Sequence, residues 1–253
     1  MLLTIDQGNT NTVFGVFDGE DMTNDWRLST DKERTADEYG ALLRSLFALD
    51  KLDVDAIDKV VISSVVPSLD PVLQQMIRRY FSVEAGFVTT ENAGVPVLYE
   101  DPREVGADRI VNAVAVLERY GSPAIIVDFG TATTFDAITR NGEYLGGLIT
   151  PGIEISANAL TDRAARLPRI DIRKPDQLIG RSTQGSLQSG FFWGYVSLVD
   201  GIIDRMRGDL GEDSRIIATG GMAGFIHGES KWISTIDPNL TLRGLYLVAR
   251  RLG

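Results

Sequence analysis

Cysteine is absent from the 253 residues, and His227 is the only histidine. The first absence excludes disulfides, thiolate nucleophiles and zinc–sulfur sites. The second removes multi-histidine metal sites and His-paired nucleophiles. A chain without cysteine suits a reducing cytoplasm, which is the expected location. No apolar run approaches the ~20 residues of a membrane span. The opening Met1-Leu2-Leu3-Thr4-Ile5-Asp6 lacks the basic segment and apolar stretch of a signal peptide. A soluble protein with no membrane partner is expected. Positive charge is also scarce: 25 Lys and Arg stand against 35 Asp and Glu, a net charge of −10. Such a balance argues against general nucleic-acid binding, which needs a basic face to displace counterions. An anionic ligand must therefore find local cations, helix N-termini or a bound metal.

What is present is an ordinary globular composition, 43% hydrophobic and 24% charged, with apolar material enough for two cores. The most informative feature is a repeat. Ile5-Asp6-Gln7-Gly8-Asn9-Thr10-Asn11-Thr12 follows one apolar run, and Val127-Asp128-Phe129-Gly130-Thr131-Ala132-Thr133-Thr134 follows another. Both read Asp-x-Gly-[Asn/Thr]-x-x-Thr. They are half a chain apart, and each precedes an apolar stretch and a turn dipeptide, Asp18-Gly19 or Asn141-Gly142. The spacing predicts a duplicated domain, divided as 1–120 and 121–253, with the last helix packing back on the first domain.

Element signals repeat with the motif. Runs at 2–6, 12–17 and near 25–29 predict a strand meander. Thr35 opens a helix in which Ala36, Leu42, Leu43, Leu46 and Phe47 recur at helical spacing. A buried strand is predicted over 59–64, and helices over 71–80 and 107–119. In the second half a strand at 124–129 precedes a hairpin, 133–139 and 143–149 around Asn141-Gly142. A helix follows Pro151-Gly152, a long one spans 186–207, a strand covers 214–218, and an amphipathic helix runs over 238–251. Alternating strands and helices in two matching halves predict α/β domains with mixed sheets, whose ligands bind beyond the strand ends.

In each motif an Asp ends a strand and a glycine turn follows. The glycine lets backbone N–H groups approach phosphate oxygens, and the hydroxyl and amide side chains add donors. A carboxylate there is placed to hold Mg²⁺ directly or through water. The plain alternative is two ordinary hairpins with glycine in the turn, but two copies at matching positions favour ligand binding. Neither G-x-x-x-x-G-K-[ST] nor G-x-G-x-x-G occurs, which excludes a P-loop and a dinucleotide fingerprint. Gly220-Gly221, after the late strand, offers a side-chain-free surface for an adenine or ribose. Asp108 and Arg109 fall in the first turn of the 107–119 helix, where Asp suits the macrodipole and Arg opposes it. A surface ion pair on a capped helix is one reading. In the other, Asp108 accepts a hydroxyl proton and Arg109 forks onto a carboxylate.

Together, the run Asp6–Thr12, Gly106-Ala107-Asp108-Arg109, Asp128–Thr134 and Gly220-Gly221 resemble type III pantothenate kinase. That family belongs to the superfamily of acetate and sugar kinases, heat-shock chaperone ATPases and actin. Arg34-Thr35-Ala36-Asp37-Glu38-Tyr39, Gly146-Gly147, Pro151-Gly152-Ile153 and Gln188-Ser189-Gly190 fit as well, so the resemblance covers essentially the whole chain. It implies duplicated ribonuclease-H-like (actin-like ATPase) domains, each a mixed five-stranded sheet flanked by helices, with a ligand cleft between them. It also implies ATP-dependent phosphorylation of pantothenate, the first step of coenzyme A synthesis. Residue by residue, Asp6, Gln7, Gly8, Asn9, Thr10, Asn11, Thr12 and Val13 would bind ATP, with Asp6 near Mg²⁺, through water. Thr131 and the Gly220-Gly221 pair would also face ATP. Tyr99 and Gly106, Ala107, Asp108 and Arg109 would bind pantothenate, Asp108 as the base. Asp128 would hold K⁺ or NH₄⁺, and Thr183 would reach pantothenate in the partner subunit of a homodimer. The aromatic set Phe191, Phe192, Trp193, Tyr195 with Val199 suits such an interface or simple core packing. Gln7 departs from the family, which usually has an aliphatic residue there; it either touches the phosphate loop or turns outward. His227 is expected on a helix surface. The rival readings are another small-molecule phosphotransferase of the superfamily and a non-catalytic ATP-binding regulator.

Overall fold

A computed structural model describes residues 1–252. The first half runs β1 (Leu2–Gln7), β2 (Asn11–Asp18), β3 (Asp21–Ser29), α1 (Ala36–Leu49), β4 (Lys59–Ser64), α2 (Asp70–Phe81), β5 (Ala85–Phe87) and α3 (Ala107–Arg119). The second runs β6 (Ala124–Phe129), β7 (Ala132–Ile138), β8 (Tyr144–Pro151), α4 (Ile153–Arg163), α5 (Thr183–Leu210), β9 (Arg215–Thr219), α6 (Ala223–His227), β10 (Thr235–Ile236) and α7 (Leu240–Arg251). One sheet is ordered β3-β2-β1-β4-β5 and the other β10-β9-β6-β7-β8. Read from opposite ends, these are the same order. In each sheet the central strand, β1 or β6, pairs antiparallel with the next strand and parallel with the one after a helical connection. The duplication inferred from two short motifs is therefore a duplication of topology.

The chain forms two compact units: Met1–Glu118 joined by α7, and Arg119–Asn239. In the first, Leu3, Ile5, Phe14, Val16, Val60 and Ile62 face a layer built from Tyr39, Leu43 and Phe47 of α1 and Leu73, Met76 and Ile77 of α2. Alternation along each strand sends the intervening side chains to the opposite face. There α7 packs on β1, β2 and β4. Phe17 stacks on Tyr246 with ring centroids 4.9 Å apart, and Thr241 donates to Asn112 Oδ1 of α3 at 2.8 Å. Thr35 opens α1 as expected, through a capping box: its side chain accepts from the Glu38 N–H while Glu38 reaches back to the Thr35 N–H.

In the second unit, Phe192, Tyr195, Val196, Val199, Ile203 and Met206 line one side of α5 and pack on Ile125, Val127 and Phe129 of β6. Phe191 and Trp193 lie partly buried against the same cluster. The α5 aromatics thus form the unit's own core and are not the interface face that the sequence reading left open. Spacings of three and four from Phe192 onward are those of a stripe against a sheet. Two strands carried no sequence signal: β5 and β10 are three and two residues long, too short for any periodicity to register. β3 begins four residues before the predicted run, because Asp21, Asn24 and Asp25 weaken its strand propensity. Among the described residues no helix is long and apolar enough to cross a membrane.

Candidate active site

The first glycine motif forms the β1–β2 turn. The Gly8 N–H donates to the Asn11 carbonyl at 3.0 Å, closing the loop. Of the two positions open to Gln7 the structure shows the first: it touches the loop, fully buried, and braces it from behind. Its Nε2 donates to the Gly8 carbonyl and to Thr30 Oγ1, both at 3.2 Å, and its Oε1 accepts from the Thr12 hydroxyl at 3.1 Å. Thr30 closes the network by donating to the Gly8 carbonyl at 2.7 Å. Thr30 had no sequence signal, since it lies 22 residues from Gly8 and only the β2–β3 register brings it there. The loop is therefore held rigid from its buried side, with Gly8, Asn9 and Thr10 at its tip. Asp6 projects to the opposite sheet face from Gln7, by strand alternation, and is half-buried.

The acceptor motif opens α3. A 3₁₀ turn, Pro102–Glu104, delivers the chain to Gly106. The Arg109 N–H donates to Asp108 Oδ1 at 2.8 Å, so the carboxylate bonds within its own helix start. A side chain at Gly106 would place its Cβ 2.6 Å from that oxygen and 3.5 Å from Val65 Cγ1. Glycine is thus required for the carboxylate to sit where it does. Burial pushes the Asp108 pKa above the ordinary carboxylate range, against the opposing pull of the Arg109 N–H and charge. A cavity of about 410 Å³ adjoins this start, lined among others by Ser64, Val65, Thr89, Arg103, Gly106 and Ala107. Gly106 and Ala107 line it, whereas Asp108 does not, and Tyr99 sits half-buried in the preceding loop outside the lining.

The second motif repeats the turn: the Gly130 N–H donates to the Ala132 carbonyl at 3.1 Å. Here the support comes from α5, whose Tyr195 hydroxyl lies 2.5 Å from Thr133 Oγ1 and donates to the Pro151 carbonyl at 3.0 Å. Thr131 is exposed at the turn. Gly220, at φ +89°, presses its backbone on Asp128; a Cβ there would stand 2.6 Å from Asp128 Oδ1. Of the glycine pair, Gly220 has this local reason, and exposed Gly221, with no atoms within 4 Å of a Cβ placed there, is the flat surface the sequence suggests. Thr183 is exposed in the first turn of α5, whose cap Ser182 accepts from the Gly185 N–H at 3.1 Å. His227 ends α6 and is exposed, as expected.

Among the described residues no three His, Asp or Glu side chains gather to hold a metal ion by themselves. That fits a magnesium ion delivered with its phosphates, which takes only one or two carboxylates from the protein. Asp6, next to a turn of backbone donors, is chemically suited to it.

The Asp108 burial has a consequence for stability. Its folded pKa lies above its unfolded value, so its favourable contribution is complete below about pH 4 and is lost as pH rises through the folded value. Above the unfolded value the buried carboxyl disfavours the folded state relative to the unfolded chain. Asp108→Asn should therefore melt at the same or a higher temperature than the parent at pH 7, with the gap closing near pH 4. Thermal denaturation at the two pH values checks this; a lower melting point for the variant at pH 7 would make the carboxylate a structural asset.

The chain is similar to known proteins along its whole length. A family model described as type III pantothenate kinase matches residues 2–205. The type III pantothenate kinase of Geobacter sulfurreducens is 52% identical, with 99% of each chain covered. That of Koribacter versatilis is 50% identical, covering 99% of this chain and 96% of the relative. Among solved structures, the activator of the 2-hydroxyisocaproyl-CoA dehydratase from Clostridium difficile, with bound ADPNP, superposes with a TM-score of 0.54. It is 16% identical and covers 99% of this chain and 93% of its own, a likeness of fold. The two sheets are those of actin-like ATPase domains, and the chain belongs to the type III pantothenate kinase family.

Proposed function

We propose that this chain transfers the γ-phosphoryl group of ATP to the primary hydroxyl of pantothenate, the first step of coenzyme A synthesis, in the cytoplasm. The observation that carries the reading is near-complete coverage by relatives named for this activity at about half identity. Phosphoryl transfer proceeds through a loose transition state, so catalysis is mostly positioning and charge neutralisation. The turn at Gly8 to Val13 supplies backbone and hydroxyl donors to the phosphates, with Gln7 bracing it from within. Asp6 receives hydrated Mg²⁺, which offsets the phosphate charge when bound. Thr131, Gly220 and Gly221 take the nucleotide. Tyr99, Gly106, Ala107 and Arg109 take pantothenate, the guanidinium suiting its carboxylate. Asp108 orients the acceptor hydroxyl and removes its proton as the new O–P bond forms, leaving ADP. Its raised pKa makes it a better base than an exposed carboxylate. Asp128 holds K⁺ or NH₄⁺, whose charge offsets that of the anionic ligand in an otherwise acidic protein.

We also propose that the working form is a homodimer in which Thr183 completes the partner's pantothenate site. Edge strand β3 guards itself with Asp21, Asn24, Asp25 and Arg27. The matching edge of the other sheet, β8, instead exposes Leu145, Leu148 and Ile149, and α4 exposes Ile155 and Leu160. An unguarded apolar edge of this kind marks an interaction surface. A second copy is its occupant on this reading.

ADP release by the purified protein should require pantothenate, and Asp108→Asn should lower turnover about 10²- to 10⁴-fold; release independent of pantothenate would favour another acceptor. Replacing K⁺ and NH₄⁺ with Na⁺ should abolish most activity, and indifference to the exchange would remove Asp128 from this role. Light scattering should report twice the 27.6 kDa chain mass, and Ile149→Lys should give monomers with impaired turnover. A parent that is already monomeric would sink the dimer.

A further inference from the structure

The sheet face that carries Asp6 also carries a buried hydroxyl that no group of the protein satisfies. β1 and β4 run parallel, with Asp6 opposite Ser63. Register partners in a ladder project to the same face, about 4.8 Å apart. Ser63 is 0% exposed and its Oγ has no hydrogen-bond partner. The neighbouring serine behaves differently: Ser64 donates to Asp70 Oδ1 at 2.5 Å and accepts from the Val66 N–H at 3.3 Å. Leaving a buried hydroxyl unpaired is destabilising, and nearly all such groups in folded proteins are paired. Alanine at 63 would avoid that cost.

Two further observations bear on why serine stands there. The duplicated frame repeats the pair: β6 and β9 run parallel, with Thr219, 2% exposed, opposite Asp128. A hydroxyl residue therefore stands beside the strand-end aspartate in both halves, although the surrounding residues differ. The same strand also leads to the acceptor motif. Val65, two residues beyond Ser63, lies against Gly106, next to the Asp108 carboxylate.

We propose that Ser63 is a positioning residue of the phosphate site. Its hydroxyl donates to the Asp6 carboxylate in the nucleotide-bound state and fixes the orientation in which Asp6 receives hydrated magnesium. This rests on the reading of Asp6 given above. The unbound protein carries the unpaired hydroxyl, and binding of Mg·ATP supplies the state in which it is used. Partners of this kind, one step behind a metal-facing carboxylate, are typically worth 10- to 100-fold in metal affinity. The competing explanation is a structural water held by the hydroxyl, in which case the serine matters for stability and not for nucleotide.

The test compares the parent with Ser63→Ala and with Ser63→Thr, the residue used at this register position in the second half. Three quantities are measured: the melting temperature of the free protein, calorimetric affinity for a non-hydrolysable Mg·ATP analogue without pantothenate, and the Mg²⁺ concentration for half-maximal turnover. For Ser63→Ala we expect an unchanged or raised melting temperature and affinity for the Mg-bound analogue about 10- to 100-fold weaker. Half-saturating Mg²⁺ should rise by a similar factor while KM for pantothenate stays constant, and Ser63→Thr should recover the Mg²⁺ response. Unchanged affinity and Mg²⁺ dependence in Ser63→Ala overturn the proposal, whatever the melting temperature does. A parent that binds Mg·ATP but ignores pantothenate would defeat the acceptor assignment alone and leave Ser63 to be judged on the binding data.

Discussion

Each half of this molecule depends on one strand pinned from both sides. β1 is bonded antiparallel to β2 and parallel to β4, and β6 likewise to β7 and β9. A strand held on two flanks has no freedom of register, because a slip of one residue would turn its buried side chains to the other face. Leu3 and Ile5 therefore fix Asp6 to the face away from the α1–α2 layer, and Gln7 to the face toward it. The turn that follows inherits this certainty. Its tip leaves the sheet at one place and in one direction, with Gln7, Thr12 and Thr30 bonded beneath it. A phosphate grip made of backbone donors needs this, since peptide groups cannot search rotamers as a lysine does.

The second constraint is charge. A chain of net charge −10 that takes a polyphosphate and a carboxylate has to concentrate its attraction locally, because its overall field opposes both. On the proposed reading, hydrogen-bonding turns and aspartates that recruit cations meet this demand. The acid groups involved sit in unfavourable places for stability. Asp108 is desolvated, and Ser63 beside Asp6 is buried without a partner. Stability is surrendered at functional sites when a group must be ready for a ligand that the free protein lacks.

Much of this was readable from residues alone, for reasons that can be named. The Asp-x-Gly turns, the β4 run and the α3 stripe depend on local signals, and the structure reproduces 59–64, 107–119 and 124–129 to the residue. The parts that were not readable depend on what lies across the sheet. Gln7 was open to touching the loop or turning outward, and the choice rests on the hydroxyls of Thr12 and Thr30, which hold it inward. The aromatics of α5 looked equally fit for an interface or a core, and the choice was made by the β6 side chains beneath them. Ser63 carried no signal of any kind. Its meaning depends on β4 lying parallel to β1 in one register, a fact that enters only with tertiary structure.

The two aspartates began as equals, and the residues facing them explain why they need not stay so. Register makes Ser63 the counterpart of Thr219, and the residues that follow them are Ser64 and Gly220. Gly220 brings peptide backbone hard against the Asp128 carboxylate, so close that a Cβ would meet both the carboxylate and Phe129 backbone at 2.6 Å. At the first site the strand residue after Ser63 is Ser64, whose side chain turns aside to Asp70. A carboxylate crowded by peptide groups suits an ion that sheds water readily and takes direct oxygen contacts, as a large monovalent cation does. A carboxylate with room beside it suits an ion that keeps its water and is bound through few protein groups, as magnesium does. On the ion assignments proposed above, the glycine backbone pressed on Asp128 is the local difference between the two copies of the motif.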